Sequence, residues 1–240
     1  MRMKAKRITL FAGHYGSGKT NLALNYALWL RRQGLSVTVA DLDIVNPYFR
    51  TKDGEALLNR EGIDLISSKY ANSNLDIPAM PAEVYSLVED RSIHAVMDIG
   101  GDDRGALALG RYAPAILEEN DFEMLFVANK ARPLTRTPDD ALEVFYEIQA
   151  ACGIPFTAIV NNTNHGPATT AETVLSGESF AREIAERTGL PLKMTCAVES
   201  LRPGLENKVS EYFPISIMQL YYMEKEGTSL GKINLQRGSV

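Results

Sequence analysis

Eight residues near the start of the chain, Gly13-His14-Tyr15-Gly16-Ser17-Gly18-Lys19-Thr20, restrict the fold more than anything else in the sequence. They match GxxxxGK[ST] at every fixed position. Their setting matters as much as their identity. The apolar run Ile8 to Ala12 reads as a buried strand ending at Gly13. Lys19 to Arg32 reads as a helix with Leu22, Ala23, Tyr26, Ala27 and Leu30 on one face and Gly34 as its stop. Glycines let the backbone wrap so that successive N–H groups face inward, a nest for an anion. The positive end of the helix that begins near Gly18 adds its field. In such a loop Lys19 can reach the outer phosphates of a nucleotide, and the Thr20 hydroxyl suits Mg²⁺.

The alternation of strand and helix continues along the chain. Ser36 to Ala40 is a predicted strand running into Asp41, Ile63 to Ile66 a short apolar piece, and Ile93 to Met97 a strand ending at Asp98. Phe122 to Ala128, Phe156 to Val160 (ending at Asn161) and Leu192 to Thr195 are further predicted strands. Helices are expected over Pro81 to Glu89, from Pro138 to Ala151 with Thr137 as cap and Gly153 as stop, over Ser179 to Arg187 before Gly189, and over Pro214 to Tyr222. Strands separated by helices predict right-handed crossovers: an α/β fold in three layers, a mostly parallel sheet with helices on both faces. Ligands of such sheets sit at the carboxyl ends of the strands.

A chain of 240 residues, 45% hydrophobic, is expected to form one domain over 1–240, with 1–6 and 226–240 as flexible tails. A net charge of −5 gives no overall electrostatic reason to expect a nucleic-acid partner. Two cysteines, Cys152 and Cys196, cannot make a disulfide framework and read as small buried apolar residues of a reducing compartment. The basic start, Met1 to Arg7, is followed by an apolar run too short for a signal peptide or a membrane span, so the cytoplasm is the expected location. The segment Glu226 to Val240 is thin in charge and interrupted by glycine, which argues against a membrane-seeking helix.

Two acidic strand ends should face the glycine loop. Asp41 and Asp43, in Asp41-Leu42-Asp43-Ile44-Val45-Asn46-Pro47, are two apart and would point the same way in an extended segment. Asp98, in Met97-Asp98-Ile99-Gly100-Gly101, caps an apolar strand in the Walker B manner, and the glycine pair lets backbone approach a γ-phosphate. A triphosphate with Mg²⁺ needs acids around the ion and a group to orient the attacking water.

The order of loop, Asp-x-Asp and Asp-x-x-Gly resembles the MinD/ParA/Mrp branch of P-loop ATPases, the deviant-Walker-A or SIMIBI class of CobQ/CobB/MinD/ParA nucleotide-binding domains. The resemblance spans about residues 7–200. It implies the three-layer P-loop NTPase fold and a Mg²⁺-dependent ATPase that works as a nucleotide-dependent switch. The nucleotide would be held by Gly13, His14, Tyr15, Gly16, Ser17, Gly18, Lys19, Thr20, Gly101 and, at the adenine, Asn161. Thr20, Asp41, Asp43 and Asp98 would serve the Mg²⁺, and Lys19 and Asp43 the reaction, Asp43 orienting the water. The implied partners are ATP and ADP, a second copy in an ATP-dependent homodimer, and a protein the sequence does not name. His14 stands where the family carries a lysine that reaches across its dimer; a protonated imidazole substitutes for it only in part. Two other readings stay open. One is a ligase or kinase of the dethiobiotin-synthetase or cobyrinate-ligase type, phosphorylating a carboxylate. The other is a nucleotide-binding scaffold with negligible catalysis.

Weaker signals surround these. Asn129-Lys130-Ala131-Arg132 departs from the NKxD guanine reader at its last position, because a guanidinium cannot accept from guanine. Arg132 and Arg136 either line the site, meet an acidic partner or lie in a solvated loop. Asn164-His165-Gly166-Pro167 is a polar turn, near the base or merely a loop, and Tyr48-Phe49-Arg50 is either a contact surface or core.

Overall fold

The computed structural model describes residues 4–43, 52–67, 83–100, 106–107 and 109–217. Eight strands form one sheet: β1 (Ile8–Ala12), β2 (Val37–Leu42), β3 (Asp64–Ser67), β4 (His94–Ile99), β5 (Phe122–Ala128), β6 (Ala158–Asn161), β7 (Leu192–Val198) and β8 (Tyr212–Ile215). Their order is β3-β2-β4-β1-β5-β6-β7-β8, and every pairing is parallel. The helices are α1 (Lys19–Arg32), α2 (Lys52–Arg60), α3 (Glu83–Glu89), α4 (Ala113–Glu119), α5 (Pro138–Cys152), α6 (Ala171–Thr188) and the single turn α7 (Arg202–Leu205).

The sheet is apolar on both faces because helices cover both. Ile8, Leu10 and Ala12 of β1 pack beneath Val84 of α3, Ile116 of α4, Phe145 of α5 and Ile184 of α6. Phe11, pointing the other way, packs with Leu22 and Tyr26 of α1, Leu57 of α2 and Phe213 of β8. The expected three-layer α/β architecture is therefore the observed one. Both cysteines are buried and outside any disulfide. Among the described residues no helix is long and apolar enough to cross a membrane.

The differences from expectation are local. Strands β2 and β4 run two residues further than predicted, so Asp41 and Asp98 lie within them, paired in register. Helix α6 begins at Ala171, eight residues before the predicted start, behind a Thr170 cap whose side chain accepts from the Thr173 N–H at 3.2 Å. Gly177 is a contact point inside it. The closing helix at Pro214 is a correction: Tyr212–Ile215 is the edge strand β8. Phe213 and Ile215 face the core while Pro214 is exposed, and an edge strand tolerates a residue with no N–H. The part of that predicted helix beyond residue 217, the segment Tyr48-Phe49-Arg50 and both tails, before residue 4 and after residue 217, lie outside the described residues.

Candidate functional site

Strand β1, near the middle of the sheet, delivers the glycine loop to its carboxyl edge. The loop turns through Gly13 (φ 156°), Gly16 (φ 75°) and Gly18 (φ 87°). Two of these positions exclude any side chain. A Cβ on Gly13 would stand 2.7 Å from the Val127 carbonyl oxygen, and one on Gly18 would stand 2.5 Å from Asn162 Nδ2. The Ser17 N–H donates to the His14 carbonyl at 3.0 Å, closing the turn. Asn162 Nδ2 donates to the Ser17 carbonyl at 2.8 Å and Asn129 Nδ2 to the same oxygen at 3.5 Å. Two carboxamides from the ends of β5 and β6 thus hold the loop. Helix α1 starts directly behind it with no side-chain cap at Gly18 and no acid in its first turn. Its positive end is left for an anion.

The predicted acids converge on this mouth. Asp41 of β2 and Asp98 of β4 are cross-strand neighbours. Thr20 Oγ1 donates to Asp98 Oδ2 at 2.5 Å, while Asp98 Oδ1 is buried and accepts nothing among the described residues. Burial pushes the Asp98 carboxyl up to about 6, against the pull of Lys19 and the Thr20 hydrogen bond, with the Asp43 charge adding to the rise. Lys19 Nζ lies 3.4 Å from Asp43 Oδ2, and the two side chains are only 4% and 6% exposed. The Asp43 N–H donates to Asp41 Oδ1 at 3.1 Å.

This donor set fits Mg²⁺ arriving with a triphosphate. One hydroxyl and an acid with an unused buried oxygen suit a hydrated ion whose other ligands come from phosphate and water. Among the described residues no group of three or more His, Cys, Asp or Glu could hold a metal by itself. Thr20 would be the protein group to ligate such an ion, with Asp98 bonded to its hydroxyl.

The other predicted residues divide. His14 is half-buried, its Nδ1 2.8 Å from the Tyr15 carbonyl, and the Tyr15 ring is 60% exposed at the rim. Gly101 lies outside the described residues. Asn161 does not face the site. Its carboxamide is fully buried, donating to the Val174 carbonyl of α6 at 3.1 Å and accepting from the Thr163 N–H at 3.1 Å. Those bonds tie β6 to α6 and leave nothing for a base, a correction to the expected adenine contact. Its neighbour Asn162 points to the loop instead, and the alternation of side chains along a strand explains the one-residue difference.

Asn162 also lines a cleft of about 180 Å³ beside the loop. Gly18, Asn21, Asn164, Cys196, Val198 and Ile217 contribute further walls. Asn21 and Asn25 of α1 pin its outer edge by donating to the Ser216 carbonyl at 3.1 and 3.0 Å. These residues were missed because β8, which brings Ile215 and Ile217 here, carries no strand signal around Pro214. The polar turn at Asn164 and Gly166 was the available clue.

No family model matches the sequence, and no curated protein is similar to it in sequence. Solved structures are similar in fold. The cell division protein FtsY from Thermotoga maritima superposes with a TM-score of 0.53 at 17% identity, over 80% of this chain and 62% of that one. Chloroplast FtsY from Physcomitrella patens gives 0.53 at 16%, over 80% and 58%. The signal recognition particle receptor FtsY from Elizabethkingia anophelis, in complex with GDP, gives 0.50 at 17%, over 80% and 58%. This chain has the P-loop NTPase fold. It spans about three fifths of the length of these relatives. The P-loop fold accounts for the position of the glycine loop, at the carboxyl edge between β1 and α1.

Proposed function

We propose that the chain binds ATP with Mg²⁺ at this loop and hydrolyses the γ-phosphate, as a nucleotide-dependent switch of the MinD/ParA/Mrp kind. One observation carries the reading: the buried pair of Lys19 and Asp43 stands in the mouth of a loop whose carbonyl side is already held and whose helix end is left open. A triphosphate draws the Lys19 ammonium onto its outer oxygens, where the point charge is better matched than by one carboxylate. Asp43 is thereby released to accept a hydrogen bond from the attacking water and orient it in line. The Thr20 hydroxyl, which donates to Asp98, would hold the ion, with Asp41 and Asp98 beside it. Mg²⁺ supplies, when bound, neutralisation of charge on the phosphoryl group.

The base would enter the cleft beside Asn162 and Asn164. A carboxamide both donates and accepts, which suits the edge of adenine. The FtsY structure above contains GDP, but here the stretch Asn129-Lys130-Ala131-Arg132 ends in a guanidinium and not an acid, and no carboxylate lines the cleft among the described residues. ATP is therefore the expected nucleotide, with GTP as competitor in the test.

Titration calorimetry and a phosphate-release assay test this together. Lys19→Ala should lose ATP binding. Asp43→Asn should bind ATP and lose turnover by about a hundredfold or more. Light scattering on Asp43→Asn with and without ATP reads the switch as a change in mass. Wild-type affinity in Lys19→Ala, or a preference for GTP, would overturn the assignment.

A further inference from the structure

The segment after β5 touches the glycine loop twice. Asn129 reaches the Ser17 carbonyl, as described. Three residues on, the Arg132 side chain lies across Gly16: a Cβ placed there would stand 3.6 Å from Nε, 3.7 Å from Cδ and 3.8 Å from Cζ. The guanidinium thus lies beside the middle of the loop, where a side chain at Gly16 would meet it. Its Nε is buried and has no hydrogen-bond partner among the described residues.

The backbone beneath it is pinned. The Arg132 N–H donates to the Asn129 carbonyl at 3.2 Å, the Thr135 N–H to the Arg132 carbonyl at 3.2 Å, and Thr135 Oγ1 to the Asn129 carbonyl at 3.2 Å. Pro133 fixes the next φ. The neighbouring cation is engaged elsewhere, since Lys130 Nζ donates to Ser176 Oγ at 2.7 Å. An arginine is always charged and has only donors to offer. A buried donor of a charged group without an acceptor is costly, and filling this space asks only for a hydrocarbon stem. What the position lacks is an anion, and the loop it leans on is shaped for one.

We infer that Arg132 is a nucleotide-binding residue, a second cation that the chain itself places at the rim of the loop to donate to phosphate oxygens of the bound nucleotide. The inference rests on the reading of the loop as a nucleotide site and adds to it a residue outside the motif. A planar fork suits phosphate, so the contact belongs to the guanidinium and only in part to any positive charge.

The test compares wild type, Arg132→Gln, Arg132→Lys and Lys19→Ala by titration with MgATP, MgADP and AMP, by steady-state turnover and by thermal unfolding. Arg132→Gln should weaken MgATP and MgADP at least about tenfold, as loss of a charge-assisted hydrogen bond requires. AMP should change less if the contact is to the outer phosphates. Arg132→Lys should recover part of the affinity, and the unfolding temperature without nucleotide should hold or rise, because a buried unpartnered donor is gone. Wild-type affinity and turnover in Arg132→Gln, with binding lost in Lys19→Ala, would overturn this inference and leave the nucleotide reading standing. A weaker affinity that follows a lowered unfolding temperature, unrecovered by lysine, would mark a packing role and overturn it too. Failure of the wild type to bind ATP would remove both.

Discussion

At Asp98 the requirements of stability and of the proposed phosphate chemistry oppose each other. The carboxylate is fully buried, one oxygen is spent on Thr20 and the other accepts nothing among the described residues. Without a cation, burial favours the neutral acid and lifts the carboxyl to about 6. The sign of the pH effect follows. Between roughly pH 4, where an unfolded Asp titrates, and pH 6, the folded state holds the proton that the unfolded state has lost. Stability contributed by this group therefore falls as pH rises through that window, and above it the full cost of a buried charge is present. Asp98→Asn removes the cost. Urea unfolding of the nucleotide-free protein should show the variant more stable than wild type by about 1–3 kcal/mol at pH 7.5, the difference shrinking toward pH 4.5. Turnover should be lost in the same variant, since the acid beside Thr20 is gone. A variant less stable than wild type at pH 7.5 would show that the carboxylate is structurally satisfied by contacts beyond those described.

At the scale of elements, legibility in the sequence follows the strength of local rules. The loop, β1 and α1 were readable because a motif, an apolar run and a 3.6-residue period agree over the same residues. Helix α5 was readable from its termini: Thr137 and Asp140 exchange hydrogen bonds at 3.2 and 3.1 Å in a capping box, and Gly153 closes it at φ 69°. Acids Asp41, Asp43 and Asp98 were readable as strand tips. What local rules missed was set by partners distant in sequence. Pro214 is a strand residue only because β7 lies beside it, and Asn162 rather than Asn161 faces the loop because of strand register. The short helices α2 and α4 offer few apolar positions to periodicity. Helix α6 runs through Gly177, a residue that helix propensity disfavours. Its reason is tertiary: a Cβ there would stand 2.3 Å from Thr163 Cβ and 2.5 Å from Asn161 Oδ1. Gly177→Ala should therefore go against helix propensity, where alanine is favoured by about 1 kcal/mol. We expect a net loss of about 1–3 kcal/mol by overpacking, read by chemical denaturation. Because Asn162 and Asn164 share that segment, the KM for ATP should rise as well. A more stable Gly177→Ala protein would show that α6 can move off β6 freely.

Over the whole molecule the two edges of the sheet have separate tasks. The carboxyl edge carries the loop, the three acids and the cleft. The amino edge carries two buried ionic clusters that, among the described residues, touch no part of that site. Arg7, 5% exposed just before β1, donates to the carbonyls of Leu87, Val88 and Asp90 at 3.1, 2.7 and 3.0 Å and pairs with the Glu119 carboxylate at the end of α4. It closes the open carbonyl end of α3. Glu123, at the start of β5, accepts from Tyr26 Oη at 3.0 Å and Thr9 Oγ1 at 3.2 Å and pairs with Lys193 of β7. With all strands parallel, these clusters and the glycine loop lie at opposite ends of the same core. Variants at the two edges should then fail in different ways. Arg7→Met leaves the Glu119 carboxylate buried beside unpaired carbonyls, a loss of about 3–5 kcal/mol. A domain with about 5–15 kcal/mol in hand stays folded at 25 °C after such a loss. Its ATP affinity by calorimetry should equal that of the wild type, while urea unfolds it at lower concentration. Lys19→Ala should instead lose ATP binding, and because the pair it breaks is as buried as that of Arg7 and Glu119, some loss of stability should accompany it. If Arg7→Met lost affinity in proportion to its stability, the edges would be coupled through the strands. The carboxyl-edge site could then no longer be treated as a unit built on an independent scaffold.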